Sequence, residues 1–178
     1  YGISLGGIAG AVTIANNPQI GHAVFNVGGG AWSTMLERSS QWIPFDWLMI
    51  EQIPSPRNRQ LLYALSQLFW DPVDPMNHVE ALQGRSVLWQ EAIGDEQVPN
   101  MTTRMLARAV GATLLEPWIE HVPGVDTASG PIVGPALAQY DPETELPFEA
   151  NTPGRPSGAH SNIRTWPGCR QQTAHFNS

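Results

Sequence analysis

Tyr1-Gly2-Ile3-Ser4-Leu5-Gly6-Gly7-Ile8-Ala9-Gly10 is the stretch that decides the fold. Residues 2–6 match the pattern Gly-x-Ser-x-Gly. A serine on a sharp strand-to-helix turn needs small residues two positions to either side. A Cβ there would collide with the neighbouring backbone, and the serine itself is held in a strained conformation that exposes its Oγ. Gly7 and Gly10 would let the following helix pack close to a sheet, and the helix start places a positive dipole end beside the hydroxyl. The plainer alternative is a glycine-rich turn that merely starts a buried helix. On either reading a helix is predicted over 5–16, stopped by Asn16-Asn17-Pro18.

Working outward, residues 22–27 read as a short buried strand ended by Gly28-Gly29-Gly30. Residues 31–85 differ in character, with four of the seven tryptophans (Trp32, Trp42, Trp47, Trp70) and several prolines. Leu61, Leu62, Leu65 and Leu68 have helical spacing, and Asp71-Pro72-Val73-Asp74-Pro75 reads as a capped turn into another short helix. A second strand is predicted over 86–93, ending at Gly94-Asp95, then a helix over 101–110 stopped by Gly111. Residues 116–131 read as loop, 132–140 as a third strand, 141–158 as a long loop, and 168–176 as a last helix. Strands separated by helices imply an α/β protein with a mainly parallel sheet and crossover connections. The chain divides into a turn-helix-strand unit (1–30), a helical insertion (31–85) and a C-terminal part of the core (86–178). Three strands are few for an open parallel sheet, which is normally covered on both faces. Further strands are expected ahead of residue 1, and the absence of an initiator Met fits a start made by cleavage or by a chain boundary.

Composition limits the function classes. Of the residues, 42% are hydrophobic and 14% charged, a globular balance. A net charge of -7 argues against nucleic acid as partner, because phosphate binding needs a basic face. All nine basic residues are arginine. The single cysteine, Cys169, allows no intrachain disulfide. No apolar run approaches the ~20 residues of a membrane span, and no signal peptide opens the chain. These features leave the compartment open, with secretion or the cell envelope favoured over the cytoplasm.

Two further residues complete a chemical set with Ser4. Asp95 follows a strand directly, where a carboxylate can orient an imidazole; its ordinary alternative is helix capping. Glu96 is a rival acid in a less suitable place, and Asp71 and Asp74 are more simply caps. His160, in Gly158-Ala159-His160-Ser161-Asn162, lies in a loop after the last predicted strand. From there a general base can reach the serine while its other nitrogen meets the acid. His22, His78, His121 and His175 compete, each with a structural or solvated reading. The chain order Ser4, Asp95, His160 is that of the α/β-hydrolases and differs from the chymotrypsin and subtilisin orders.

The whole chain resembles the C-terminal half of bacterial α/β-hydrolase fold proteins of the esterase/lipase type. The resemblance lies in Gly-Ile-Ser-Leu-Gly-Gly-Ile at 2–8, Val-Gly-Gly-Gly at 27–30, Phe-Trp-Asp-Pro-Val-Asp-Pro at 69–75, Ile-Gly-Asp-Glu-Gln-Val-Pro-Asn at 93–100 and Gly-Ala-His-Ser-Asn-Ile-Arg at 158–164. It implies a Ser4-Asp95-His160 triad, elbow glycines at Gly2 and Gly6, and a cap formed by residues 31–85. It also implies that the strands before the elbow belong to an N-terminal segment or chain, which carries the second oxyanion donor. Only the Leu5 N–H can be assigned as donor here. The chain alone is therefore expected to be inactive and poorly folded.

The expected chemistry is acyl transfer to water through an acyl-enzyme, with no metal or organic cofactor. Trp32, Met35, Leu36, Trp42, Ile43, Phe45, Trp47, Leu48, Met49 and Ile50 suggest an apolar acyl pocket or lid, hence an ester with an apolar acyl group. Packing of cap against core explains the same residues equally well, and an exposed apolar face could dock the N-terminal segment. The alternatives are a peptidase or amidase on the same triad, a non-catalytic hydrolase-fold assembly subunit, and a metal site at Asp71, Asp74 and His78, whose spacing is no established ligand pattern.

Overall fold

The chain leaves a strand of only two residues, β1 (Gly2–Ile3), and enters helix α1 (Leu5–Asn16) at once. The computed structural model describes residues 1–147 and 150–176. In chain order there follow β2 (His22–Asn26), the short α2 (Trp32–Leu36), α3 (Ile43–Gln52), α4 (Pro56–Trp70), the short α5 (Val79–Leu82), β3 (Ser86–Ala92) and α6 (Asn100–Ala109). The remainder comprises β4 (Thr113–Leu115), β5 (Thr127–Ala128), β6 (Ala136–Tyr140), a single turn α7 (Ala159–Asn162) and α8 (Pro167–Phe176). The strands form one sheet in the order β1-β2-β3-β6-β4-β5, with parallel pairing throughout.

Alternation along the strands sorts the core onto two faces. Phe25, Trp89 and Leu137 point to one face, where they meet Ala11 and Ile14 of α1 and Leu106 and Ala107 of α6. Val24, Leu88, Ala136 and Ala138 point to the other, with Phe176 of α8 against them. Helices on both faces are what a parallel sheet requires. Burying each such large side chain contributes roughly 1.5–3 kcal/mol. Toward the carboxyl ends of the strands the α8 face becomes polar. Asn26 Nδ2 donates to Gln90 Oε1 at 3.1 Å, and Gln90 Nε2 donates to the Cys169 carbonyl at 3.0 Å. Burial pushes the Cys169 thiol up to about 11, so it stays neutral and unreactive near pH 7.

The α/β class and the mainly parallel sheet are as expected, but the sheet is wider. β4 was not anticipated, and β5 falls in the stretch read as loop over 116–131. At three and two residues, neither is long enough to show an alternation. The third predicted strand, 132–140, begins only at Ala136. Gly134 has φ 111°, Pro135 brings no N–H to the ladder, and Val133 is fully exposed. Positions 148–149 of the predicted loop over 141–158, and positions 177–178 of the C-terminal segment, lie outside the described residues.

Residues 31–85 are largely helical, with 3₁₀ turns at Ser40–Trp42, Asp71–Val73 and Pro75–His78. Ser55 caps α4 by accepting from the Asn58 N–H, and Pro56 occupies the first turn. Asp74 is fully buried and ties the turn around it back to the start of α2. Its carboxylate accepts from the N–H groups of Ala31 (2.9 Å), Trp32 (2.8 Å) and Met76 (3.0 Å) and from Gln67 Nε2 (2.8 Å).

Candidate active site

Ser4 stands at the carboxyl end of β1 with φ 56° and ψ −123°, a region natural to glycine. The turn is held from both sides. Ser4 N–H donates to the Asn26 carbonyl at 2.9 Å, and the Ser4 carbonyl accepts from Gly7 (2.8 Å) and Ile8 (3.1 Å) as α1 begins. A Cβ on Gly2 would lie 2.2 Å from the Gly6 carbonyl oxygen, so only glycine fits there. Gly7 touches Gly28, and Gly10 leaves no room for a Cβ beside the Phe25 ring, so α1 lies close on β2. Gly6 differs from the expectation: a Cβ there meets nothing within 4 Å, because this side of the turn is open. The Leu5 N–H heads the helix, where the first amides have no acceptor in the helix itself.

Strain of this kind costs about 1–3 kcal/mol. Ser4→Gly is therefore expected to raise Tm by about 2–4 °C once the lost hydroxyl bond is deducted. Thermal unfolding followed by circular dichroism checks this, and a lowered Tm would count against a strained turn.

The other two residues converge on Ser4. Parallel strands put the ends of β1, β3 and β6 on the same edge of the sheet, and Asp95 and His160 follow β3 and β6. His160 Nε2 lies 2.9 Å from Ser4 Oγ, and His160 Nδ1 lies 2.9 Å from each Asp95 carboxylate oxygen. The imidazole is completely buried and Asp95 is 3% exposed. Asp95 Oδ1 also accepts from the N–H groups of Gln97 (2.9 Å) and Val98 (2.8 Å). Burial pushes the Asp95 carboxyl above its ordinary value, opposed by the His160 bond and then by these amides. His160 belongs to the α7 turn rather than to a loop, with Gly158 at φ 87° leading into it.

The turn carrying Asp95 is fixed by a residue that sequence reasoning passed over. Asn100 accepts from the Gly94 N–H at 2.9 Å and donates to the Ala92 carbonyl at 2.6 Å and to Glu91 Oε1 at 2.9 Å. Buried Glu91 in turn is paired with Arg104 at 2.9 Å and accepts from Gln139 at 2.9 Å. The signal available in the sequence was an Asn at the start of a helix just after the acid, and that pattern reads only as a cap.

Glu96, the rival acid, does not contact the imidazole through its carboxylate. Its Oε2 accepts from the backbone N–H of His160 at 3.2 Å and from Ser157 Oγ at 3.0 Å. Burial alone would raise its pKa. Bonds from its own N–H, the His160 N–H, Ser157 and Gln97 outweigh burial and hold it below the ordinary carboxylate value. A depressed folded-state pKa means stabilisation that is present above the unfolded-chain value and lost as pH falls through the lower folded value. On acidification below the ordinary glutamate range, the urea midpoint of the natural protein is expected to fall more steeply than that of Glu96→Gln, which cannot titrate. Parallel declines would contradict this.

The remaining candidates are not brought to the site. His22 is exposed at the start of β2, with its ring edge-on to Phe176, and His121 lies beside Trp118. Asp74 is occupied as described, Asp71 Oδ1 accepts from Gln67 and Asn77, and His78 lies near Asn16 and the Pro72 carbonyl. No grouping of three metal-ligating side chains occurs among the described residues. Some large apolar residues of this segment pack together and others are exposed, with Phe45 in both groups. Trp32 stacks on Trp70, Met35 packs with Ile8 and Val98, and Trp42 stacks on Phe45 and donates to Tyr63. Ile43, Phe45, Trp47, Leu48 and Ile50 are exposed on α3, as are Leu61, Leu65, Leu68 and Phe69 on α4. A cleft of about 690 Å³ is bordered by Asp95, Asn100, Arg104 and Leu146 but reaches neither Ser4 nor His160. No helix among the described residues is long and apolar enough to cross a membrane.

Comparison with protein-family models, with curated proteins and with solved structures finds no match to this chain.

Proposed function

We propose that this chain is the catalytic part of a serine hydrolase cleaving carboxylic esters, with Ser4 as nucleophile, His160 as general base and then acid, and Asp95 as the carboxylate behind it. The observation that carries the reading is the continuous contact from Ser4 Oγ through both ring nitrogens of His160 to Asp95. The glycine-type backbone at Ser4 adds to it, since strain of this kind gathers at functional sites.

In the first half-reaction Ser4 Oγ attacks the ester carbonyl carbon while its proton passes to His160 Nε2. Asp95 holds Nδ1–H, fixes the tautomer and stabilises the imidazolium. The carbonyl oxygen, now negative, accepts from the Leu5 N–H at the positive end of α1. The C–O bond to the alcohol breaks as His160 returns the proton to the leaving oxygen. Water repeats these steps on the acyl-enzyme, releasing the acid and restoring Ser4. A second oxyanion donor, and strands on the outer edge of β1, are proposed to come from an N-terminal segment or chain. The edge position of β1 and the open side at Gly6 support this. An apolar acyl group is proposed from the exposed apolar residues of α3 and α4.

Hydrolysis of p-nitrophenyl esters of graded acyl length by the complete protein tests the reading. Turnover that rises with acyl length is expected. No turnover at any length, alongside cleavage of the matching anilides, would favour an amidase; neither activity would leave a non-catalytic scaffold.

A further inference from the structure

Beside the proposed triad, the side chain and backbone of Glu96 tie together three segments distant in sequence. Its Oε2 accepts from the His160 N–H and from Ser157 Oγ, on the segment that carries the imidazole. Its carbonyl accepts from the Ser40 N–H at 2.7 Å, at the start of the insertion. A Cβ placed on Gly154 would lie 3.5 Å from its Cα and Cβ, and the Gly154 N–H donates to the Arg38 carbonyl at 3.0 Å. Arg38 Nη2 donates to Asn151 Oδ1 in the same segment. Glu96 is 2% exposed, so its bonds lie out of reach of competing water.

Resting on the hydrolase reading, we infer that Glu96 is a positioning residue that acts through His160. Two carboxylates adjacent in sequence thereby divide the work on one histidine. Asp95 orients the ring through Nδ1, and Glu96 anchors the backbone from which the ring projects. The α7 turn is one turn long and enters through a left-handed glycine, so it has little rigidity of its own. Without the anchor the imidazole can still pair with Asp95 but spends less time in reach of Ser4. Because Ser40 and Arg38 hold the same assembly, a displacement of the start of the insertion reaches the base through Glu96.

The test is steady-state ester hydrolysis by the complete protein. Glu96→Ala is expected to lower kcat about 10²-fold with KM little changed, as a misplaced base does. Glu96→Gln, which keeps an acceptor oxygen for His160 and Ser157, is expected to recover most of the loss. Ser157→Ala removes one of the two donors to Oε2 and leaves Glu96 in place, so it is expected to lose about 3–10-fold in kcat. It decides the matter if Glu96→Ala fails to fold by circular dichroism. A folded Glu96→Ala with unchanged kcat, a loss confined to KM, or a loss that Gln does not restore would overturn the inference. So would an unchanged kcat in Ser157→Ala. Turnover that survives Ser4→Ala would sink the hydrolase reading instead, and the two failures are told apart by that control.

Discussion

Ser4→Ala in the complete protein is expected to lower kcat/KM for a p-nitrophenyl ester by about 10⁴–10⁶-fold. In the proposed mechanism the hydroxyl is the atom that forms the acyl bond. The residue of activity would come from the oxyanion donors and from substrate binding. Stability should change little, because alanine meets the same backbone strain as serine at φ 56° and ψ −123° and loses one partly buried bond. His160→Ala should lose activity on the same scale. The two losses should not add, since each alone breaks the same relay. Parallel rate and thermal measurements separate this from misfolding: a Ser4→Ala protein retaining a tenth of the natural rate would exclude acyl transfer through Ser4.

The second large effect is on folding. Gly2→Ala places a Cβ 2.2 Å from the Gly6 carbonyl oxygen, 2.7 Å from its carbon and 3.0 Å from Gly7 Cα. All three are backbone atoms, so no rotamer change relieves the contact. Helix α1 must back away from the sheet, which undoes the close approach of Gly7 to Gly28 and of Gly10 to Phe25. A loss of about 3 kcal/mol is expected, and Tm should fall by about 6–12 °C. Gly6→Ala is the matched control. It adds a methyl to open space within a helix, and it should be neutral or slightly stabilising. Equal losses at the two positions would show that the turn is not built as described.

The positions of Ser4 and Asp95 were legible in the sequence because each sits where its local context leaves few choices. Gly2-Ile3-Ser4 announces a turn that tolerates almost no other residues, and α1 starts and stops where its glycine and Asn-Asn-Pro punctuation place it. Asp95 comes just after the strand predicted over 86–93, and residues 86–92 form the central strand β3. His160 is picked out by its place after the last predicted strand and by chain order, and its α7 turn, at four residues, is too short to show a helical pattern. β4 and β5 are hidden by their length; β4 is placed by pairing to β6 and β5 by pairing to β4, a tertiary fact. Glu96 shows the limit most clearly. Residues 95 and 96 are both carboxylates at one strand end, and no propensity separates them. Only the fold turns Asp95 to the ring and Glu96 to the backbone beside it. The requirement read into Gly6 came from pattern alone, and the surrounding space does not impose it.

An activated serine differs from an ordinary one in reacting with a fluorophosphonate. Incubating the complete protein with such a probe, digesting it and locating the adduct by mass spectrometry reads that activation at a named atom. The geometry predicts a single phosphonyl group on Ser4, formed within minutes and lost in His160→Ala. Folded protein that stays unlabelled at Ser4, or labels there equally well without the imidazole, would contradict the proposal that His160 activates this hydroxyl.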